Sequence, residues 1–265
     1  MGHDKLRRFA ENETFECLLQ PRSEEIISDG IFNLHDHPVK GHWAQRMFHR
    51  DDAEIVLELG CGKGEYTIDL ARRYPQKCFI GVDIKGARLW KGAKTATQEA
   101  MDNVAFLRTR IEFITAFFAP QEVSQIWLTF SDPQMKSENS RLTSPLFLDR
   151  YRKFLAKDGI VHLKTDSQFL HEYTLSVIRA NNLELLCSTS DLYADKDTLA
   201  GIDPVVYEVQ TFYEKMFLEK KLPITYLAFK LEHDGPFVYP TDFDEKAWRD
   251  RELHREQLES LVESE

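Results

Sequence analysis

The segment from Glu54 to Tyr66, EIVLELGCGKGEY, constrains the fold of this chain more than any other segment. Its apolar run, which includes Val56 and Leu57, predicts a buried strand, and Gly60 marks a sharp turn at the end of that strand. Glycine has no Cβ, so a ligand can lie directly against the backbone of such a turn. The segment therefore predicts a strand, a ligand-binding turn and a helix, which is how α/β folds begin.

The chemistry of this turn indicates the kind of ligand. Gly60, Gly62 and Gly64 are spaced G-x-G-x-G, which differs from the G-x-G-x-x-G of dinucleotide-binding proteins. Glu58 stands just before them, where its charge would repel a phosphate group. A positively charged cofactor without phosphate suits an acidic turn, and S-adenosylmethionine has both properties. Glycine-rich turns also have other uses, so these residues favour this cofactor and do not prove it.

A second strand-like run, Cys78 to Ile84, ends close to an acid, Asp83. Glu58 and Asp83 are 25 positions apart, which leaves room for one helix and one strand between them. An acid at the tip of the second strand of a βαβ unit can accept hydrogen bonds from ribose hydroxyls. The alternative for Asp83 is a helix N-cap. The glycine turn upstream makes a cofactor-binding role the preferred interpretation.

Strand-like and helical patterns alternate from residue 54 onward. The predicted strands are 54–60, 78–83, 104–108, 125–130 and 159–165, and the predicted helices are 64–73, 85–101, 111–118, 144–156 and 168–181. Later strand-like segments cover 183–192, 206–217 and 224–231, with a turn at 220–223 between the last two. The pattern predicts an α/β fold with a doubly wound, mostly parallel seven-stranded sheet that ends in an antiparallel hairpin. This arrangement is typical of Rossmann-like class I methyltransferases.

Composition limits the location and the cofactors of the protein. No run approaches the roughly 20 apolar residues that cross a bilayer, and residues 1–16 lack a hydrophobic signal core. The missing apolar run predicts no membrane partner. The four cysteines are widely spaced without a C-x-x-C pair, which favours a reducing, cytoplasmic location. The spacing of His35, His37, His42 and His49 matches no standard zinc pattern, so we predict no metal site.

The net charge of −10 argues against simple nucleic-acid binding, but the charge is unevenly distributed. Residues 241–265 contain nine acidic and four basic residues, so this tail carries half of the net negative charge. Lys85, Arg88, Lys91 and Lys94 recur every three residues and would form a basic stripe on a helix. The stripe permits a polyanionic partner, and its alternative is an ordinary solvated helix face.

Three further polar clusters lie at or near predicted strands. Asp132, followed by Pro133, comes after the fourth strand, at the edge where open α/β sheets bind ligands. Asp166 comes directly after the strand at 159–165. Residues 211–214 form T-x-x-E, which is usually a helix capping box. The strand-like surroundings of this motif weaken the capping interpretation, so a functional role for Thr211 and Glu214 stays open.

These clusters, in this order and at these spacings, resemble the bacterial tRNA (guanine-N7-)-methyltransferase family over about residues 40–232. The segments that carry the resemblance are ELGCGKGEYT (58–67), GVDIKG (81–86), SDPQMKSENSRLTSP (131–145), LKTD (163–166) and TFYE (211–214). The resemblance implies an enzyme that transfers a methyl group from S-adenosylmethionine to N7 of a guanosine in tRNA, in the variable loop. Residues 1–53 are polar and irregular and predict an N-terminal arm, residues 54–232 are the predicted methyltransferase domain, and residues 233–265 are a charged C-terminal extension outside the family core. Whether the protein is a monomer or a homodimer is left open by the sequence.

The resemblance also implies roles for individual residues. The cofactor-binding positions fall on Glu58, Gly60, Gly62, Gly64, Asp83, Arg110 and Asp132. Arg110 stands where the family has an acid or an amide. The substrate-binding positions fall on Lys136, Asp166, Thr211 and Glu214. Asp132 is the predicted catalytic residue, because a carboxylate stabilises the positive charge that guanine acquires as the methyl group arrives.

One loop departs from the family pattern and leaves two other functions open. The family usually has FPDPWPKKRH where this chain has FSDPQMKSENSR, so only Lys136 and Arg141 remain of its basic cluster. Fewer cations predict weaker, less salt-dependent tRNA binding. The first alternative is a class I methyltransferase for a small molecule or a protein. The second is a non-catalytic relative that binds tRNA or a partner protein.

Overall fold

In the computed structural model, residues 3–28, 33–199 and 202–262 are described. The strands are β1 Leu18–Leu19, β2 Ile55–Leu59, β3 Cys78–Asp83, β4 Val104–Arg108, β5 Val123–Thr129, β6 Leu155–Thr165, β7 Leu185–Thr189 and β8 Thr225–Lys230. The helices are α1 His3–Asn12, α2 Ser23–Ile26, α3 Trp43–Met47, α4 Glu65–Arg73, α5 Gly86–Gln98, α6 Pro145–Tyr151, α7 Gln168–Ala180, α8 Val205–Glu208, α9 Phe212–Glu219 and α10 Glu245–Val262. Two short 3-10 helices cover Ile111–Ala116 and Glu138–Ser140.

The strands form one mixed sheet in the order β1-β4-β3-β2-β5-β6-β8-β7. The first six strands pair in parallel, and β8 runs antiparallel to both β6 and β7. The predicted doubly wound α/β sheet with an antiparallel end is therefore confirmed. The strand order reverses between β2 and β5, and ligands bind open α/β sheets outside the carboxyl ends of the strands at such a point.

Both faces of the sheet are covered, which explains why β2 reads as a continuous apolar run. All five residues of β2 are buried. Leu57 packs in the cluster on one face together with Ile126, whereas Val56 packs in the cluster on the other face with Trp127 and Phe106. Successive side chains of a strand point to opposite faces, so a strand between two layers must be apolar at every position.

Two predicted elements near the carboxyl terminus differ from the structure. The strand predicted at 206–217 is wrong, because this segment forms α8 and α9. Thr211 accepts a hydrogen bond from the backbone N–H of Glu214 (3.1 Å), which caps the start of α9. The partner of β8 in the antiparallel pair at the sheet edge is instead β7. Seven strands thus form the main sheet, and β1 adds an eighth, two-residue strand.

The terminal segments pack on the central domain. Glu11 of α1 contacts α5 through Lys94 (2.8 Å) and the indole N–H of Trp90 (2.7 Å), and β1 pairs with β4. At the other end α10 packs on α7, where the buried carboxylate of Glu252 faces the backbone N–H of Phe169 (3.5 Å). The domain boundaries at residues 53 and 232 stay predictions. In the described part of the chain, no helix has the length and apolar character of a membrane span.

Candidate cofactor and substrate site

The turn after β2 holds the three glycines in a defined conformation. The backbone N–H of Gly60 donates to the carbonyl of Val82 (2.8 Å), which anchors the start of the turn to β3. Gly62 has a φ of 57°, and no atom lies within 4 Å of the place where its Cβ would be. Gly64 has a φ of 72°, and a Cβ there would lie 2.5 Å from the ring of Phe106. Gly62 therefore faces open space for a ligand, whereas packing requires glycine at position 64.

Asp83 ends β3 beside this turn and is 8% exposed. Its Oδ2 accepts a hydrogen bond from the backbone N–H of Gly62 (3.0 Å). Its Oδ1 accepts one from the backbone N–H of Lys85 (2.7 Å), directly before α5. The N-cap of α5 is Lys85, so Asp83 makes an Asx-turn contact and does not cap the helix, and it also joins the glycine turn. The structure brings the predicted ribose-binding acid and the predicted cofactor turn into contact.

A cleft of about 480 Å³ opens beside Asp83 and has the size of a small-molecule site. Its polar lining comes from Gly60, Asp83, Thr109, Arg110, Glu112, Gln134 and Ser140, and its apolar lining from Ile84, Ile111, Leu142 and Phe147. The side chain of Arg110 is 53% exposed and contacts Glu112 at 3.1 Å. Arg110 therefore lies in this cleft together with Gly60 and Asp83. The mixture of apolar walls and a carboxylate suits a nucleoside.

Glu58 lies beneath the turn and is buried. Its Oε2 accepts hydrogen bonds from the backbone N–H (2.9 Å) and the hydroxyl of Thr67, and its Oε1 accepts one from the hydroxyl of Thr129. These bonds join β2 to α4 and β5. Burial raises the pKa of Glu58 to about 7, although the bonds from Thr129 and Thr67 oppose this change. The carboxyl thus titrates near neutral pH, inside the wall of a small pocket that also contains Gly62.

The buried position of Glu58 predicts a loss of stability as pH rises. Its pKa increases from an ordinary value of 4.5 to about 7 on folding, so its stabilising contribution is complete below pH 4.5 and is lost as pH rises through 7. Glutamine resembles the protonated form. The free energy of unfolding of Glu58→Gln, relative to the wild type, should therefore increase by roughly 2–3 kcal/mol between pH 5 and pH 8 in urea titrations. Parallel pH profiles for the two proteins would contradict this.

The loop after β5 places Asp132 and Lys136 at the carboxyl edge of the sheet. Both residues are exposed. The Oδ1 of Asp132 accepts a hydrogen bond from the backbone N–H of Gln134 (2.9 Å). Phe130 and Gln134 have φ angles of 50° and 48°, which non-glycine residues adopt only when the surroundings hold them there. The loop thus has a defined conformation. In it, the second carboxylate oxygen of Asp132 accepts no hydrogen bond from the other described residues of the loop.

Asp166, at the end of β6, is contacted by the C-terminal helix. Arg255 of α10 donates to the backbone carbonyl of Asp166, and its Nη2 lies 3.3 Å from the carboxylate of Asp166. Burial raises the pKa of Asp166, and Arg255 opposes that effect. The predicted substrate-binding carboxylate is therefore held by a residue from the charged extension, 89 positions along the chain.

Glu214 is fully buried, which differs from the exposed setting expected of a substrate contact. Its Oε1 lies 2.6 Å from the Nζ of Lys164 and accepts a hydrogen bond from the hydroxyl of Tyr193 (2.6 Å). Its Oε2 faces the backbone N–H of Thr211 at 3.4 Å and completes a capping box. The capping interpretation of T-x-x-E is thus correct, and Thr211 lines the small pocket beside Gly62.

Arg141 is also buried. The loop after β5 therefore exposes only one of the two basic residues that were expected to contact tRNA. Its guanidinium lies 4.8 Å from the ring centre of Phe169 and 4.4 Å from that of Tyr173. Its Nη2 lies 3.2 Å from the carboxylate of Glu245 in α10. Arg141 therefore joins this loop to α7 and α10, and Lys136 remains the exposed cation.

Several residues that organise the site are missed by motif reasoning: Thr67, Thr129, Lys164 and Arg255. Arg141 is named by the motif as a basic residue of the loop, but its burial is not predicted. The sequence does give a reason to single out Lys164, because a lysine in a strand that is buried on both faces requires a charged or polar partner. No local pattern identifies Arg255, which lies in a helix of mostly charged residues. Within residues 3–28, 33–199 and 202–262, no group of three His, Cys, Asp or Glu residues is placed to hold a metal ion.

Sequence comparison relates the chain to known proteins along most of its length. A family model described as "Putative methyltransferase" matches residues 52–227. The chain is 52% identical over 231 residues to the tRNA (guanine-N(7)-)-methyltransferase of Christiangramia forsetii, which covers 86% of this chain and 98% of that protein. It is 47% identical over 240 residues to the protein of the same name from Bacteroides thetaiotaomicron, with coverage of 91% and 90%.

Solved structures resemble the chain in fold. The 16S rRNA methyltransferase KamB matches with a TM-score of 0.50 and 13% identity over 67% of this chain and 87% of that chain. A structure described as an antibiotic-related methyltransferase matches with a TM-score of 0.51 and 15% identity over 71% of this chain and 90% of that chain. At these identities the likeness concerns the fold alone.

Proposed function

The chain belongs to the tRNA (guanine-N(7)-)-methyltransferase family, and we propose that it transfers a methyl group from S-adenosylmethionine to N7 of a guanosine in tRNA. The observation that carries this proposal is 52% identity to a relative of that name along 98% of the relative's length. The resemblance found in the motifs is thereby confirmed. We place the reaction in the cytoplasm, and all four cysteines, as free thiols, suit a reducing compartment.

The residues at the switch point fit S-adenosylmethionine. Gly62 leaves room for a ligand against the backbone, and the apolar cleft beside Asp83 suits the adenosine part. Asp83 accepts hydrogen bonds from the ribose, and Arg110 lies at the rim of the same cleft. Glu58 supports the turn from beneath through Thr67 and Thr129. When bound, the cofactor supplies the reactive methyl group.

The protein contributes position and charge to the reaction. Guanine N7 carries a lone pair and no proton, so no general base is required. The base becomes cationic during transfer, and a carboxylate nearby stabilises the transition state more than the ground state. Asp132 takes this role, because one of its oxygens is held by Gln134 and the other is left for the base. Lys136 contacts a phosphate or the O6 side of the guanine.

Asp166, Thr211 and Glu214 complete the substrate side. Asp166 accepts a hydrogen bond from the base edge, and Arg255 keeps its carboxylate oriented. Thr211 faces the pocket at the start of α9. Since the carboxylate of Glu214 is enclosed with Lys164, we assign Glu214 a positioning role that acts through Thr211 and the first turn of α9.

A variant of Asp132 tests the mechanism. Asp132→Asn keeps the size of the side chain and removes its charge, so kcat for unmodified tRNA should fall by about 100-fold. The dissociation constant for S-adenosylmethionine, measured by calorimetry, should change little. Asp158→Asn removes an exposed carboxylate at the opposite edge of the sheet and should keep full activity. Wild-type activity in Asp132→Asn would contradict the assignment.

The substrate class is tested separately. Purified protein, labelled cofactor and an unmodified tRNA pool should yield N7-methylguanosine, and RNase treatment of the pool should abolish methyl acceptance. A methyltransferase for a small molecule or a protein would keep its acceptor after this treatment.

A further inference from the structure

The loop after β5 offers little positive charge to an RNA. Arg141 is buried, and Lys136 is the exposed cation that remains there. Lys94 of the predicted basic stripe is engaged by the carboxylate of Glu11 at 2.8 Å. Phosphate contacts contribute a large share of RNA affinity, so other cations must provide them.

A surface next to the glycine turn carries such cations. We call it the basic–aromatic face and define it by Lys63, Arg88, Lys91, Lys215, Phe212 and Tyr213. Lys63, Lys91, Lys215 and Phe212 line one cleft of about 540 Å³. Arg88 and Tyr213 line the adjoining small pocket, which also contains Lys63 and Phe212. All four cations are exposed, and none of them has an ion-pair partner among the described residues.

The three carboxylates in this cleft are occupied by other groups of the protein. Arg72 contacts both Asp69 and Glu99 at 2.5 Å. Glu65 accepts a hydrogen bond from the backbone N–H of Phe212 (3.1 Å). The side chains of Asp69 and Glu99 are 40% and 43% exposed and share the one guanidinium of Arg72, so they offset part of the positive charge of the lysines. The four cations that line the cleft, Arg72 among them, still outnumber its three carboxylates, which leaves a net positive charge for an anionic ligand.

Two aromatic side chains are exposed beside these cations. Phe212 is 57% exposed and Tyr213 is 50% exposed, in the first turn of α9. Their ring centroids lie 5.8 Å apart, and the Nζ of Lys63 lies 5.3 Å from the centroid of Phe212. The capping box and the buried Glu214 fix the backbone that carries both rings. Exposed rings next to cations are how proteins bind RNA bases that have left their stack.

We propose that the basic–aromatic face binds the tRNA strand next to the target guanosine. The lysines and Arg88 contact phosphates, and Phe212 or Tyr213 stacks on an adjacent base. This inference rests on the proposed function and specifies which surface receives the RNA. A simple polyanion would use the cations alone, so the aromatic rings distinguish RNA from other polyanions.

The test measures the affinity of the full-length protein for an unmodified tRNA transcript by fluorescence anisotropy at several salt concentrations. Lys91→Ala combined with Lys215→Ala should weaken binding and lower the slope of log affinity against log salt by about 2. Phe212→Ala should weaken binding by about 5- to 150-fold without a change of slope. Lys157→Ala, an exposed lysine at the other edge of the sheet, is the control and should bind as the wild type does.

Calorimetry with S-adenosylmethionine completes the experiment. The cofactor dissociation constant should stay unchanged in the lysine variants, which change no residue of the pocket beside Gly62. In Phe212→Ala the loss of tRNA affinity should exceed any loss of cofactor affinity, and Tyr213→Ala replaces this variant if it fails to fold. Wild-type tRNA affinity in both the lysine and the aromatic variants would overturn the inference. So would a loss of cofactor affinity without a change in tRNA affinity. Failure of the proposed function would give a different result: the wild-type protein would bind tRNA but transfer no methyl group to it.

Discussion

Replacement of Lys164 by methionine should destabilise the protein by about 3–5 kcal/mol. The Nζ of Lys164 is fully buried, lies 2.6 Å from the Oε1 of Glu214 and donates to the backbone carbonyls of Val206 and Val209. Methionine fills a similar volume, but the carboxylate of Glu214 stays buried without its cation. Urea unfolding at pH 7, followed by circular dichroism, measures the loss.

The pH dependence of this variant has a definite sign. Burial raises the pKa of Glu214 and lowers that of Lys164, and the attraction between the two groups opposes both changes. Without the lysine, burial is opposed only by the hydrogen bonds from Tyr193 and from the backbone N–H of Thr211, so the pKa of Glu214 rises further. A raised carboxyl pKa adds stability at low pH, and that stability is lost as pH rises through the folded-state value. The variant should therefore be less destabilised at pH 5 than at pH 8.

Two further variants serve as controls. Lys164→Met combined with Glu214→Gln removes both charges and should recover about half or more of the lost stability. Lys230→Met removes a partly exposed amine on the neighbouring strand, near Asp158 and Glu184, and should leave the unfolding midpoint nearly unchanged. If Lys164→Met were as stable as the wild type, the buried pair would not support the fold.

Replacement of Gly64 by alanine should cost roughly 2–5 kcal/mol of stability. Its φ of 72° is a left-handed conformation that costs an alanine about 1–2 kcal/mol. The added Cβ would also lie 2.5 Å from the ring of Phe106, and such overpacking costs about 1–3 kcal/mol. Phe106 is fully buried, and its ring also lies 2.8 Å and 2.5 Å from the Cβ positions of Gly81 and Gly92, so it has little room to move.

Gly62→Ala is the matched control for this prediction. Gly62 has a similar φ of 57° but no atom within 4 Å of its Cβ position, so alanine there should cost only about 1–2 kcal/mol. Combining Gly64→Ala with Phe106→Leu should recover part of the loss by relieving the contact. Equal unfolding free energies for the two alanine variants would show that packing against Phe106 contributes nothing.

The arrangement of the predicted cofactor residues follows from their order along the chain. The glycine turn follows β2, Asp83 ends β3 and Asp132 follows β5. Parallel strands of a doubly wound sheet present their carboxyl ends on one edge, so residues that follow such strands converge. The structure brings the glycine turn and Asp83 into contact, whereas Asp132 lies outside the two pockets that the turn lines. The binding roles of all three stay predictions for the variants above.

The substrate side was less accessible to the same reasoning. Residues 206–217 read as a strand because their apolar residues are closely spaced, yet Thr211 and Glu214 cap a helix instead. The buried pair with Lys164 stabilises that helix start, and Lys164 lies 50 positions away along the chain. A tertiary contact thus decided between two local interpretations, which is common where a short segment has weak periodicity.

The amino-acid sequence by itself determined the strand–turn–helix beginning of the fold, the mostly parallel direction of the strands and the acids at their ends. These features depend on residues close together in the chain. Only the tertiary structure decided which charged groups are available to a ligand. Arg141 and Glu214 are buried, and Asp166 is held by Arg255, because distant segments exclude water from them and supply their partners. The free-energy cost of burying a charged group depends on the partners that these distant segments supply. A local sequence pattern does not include those partners.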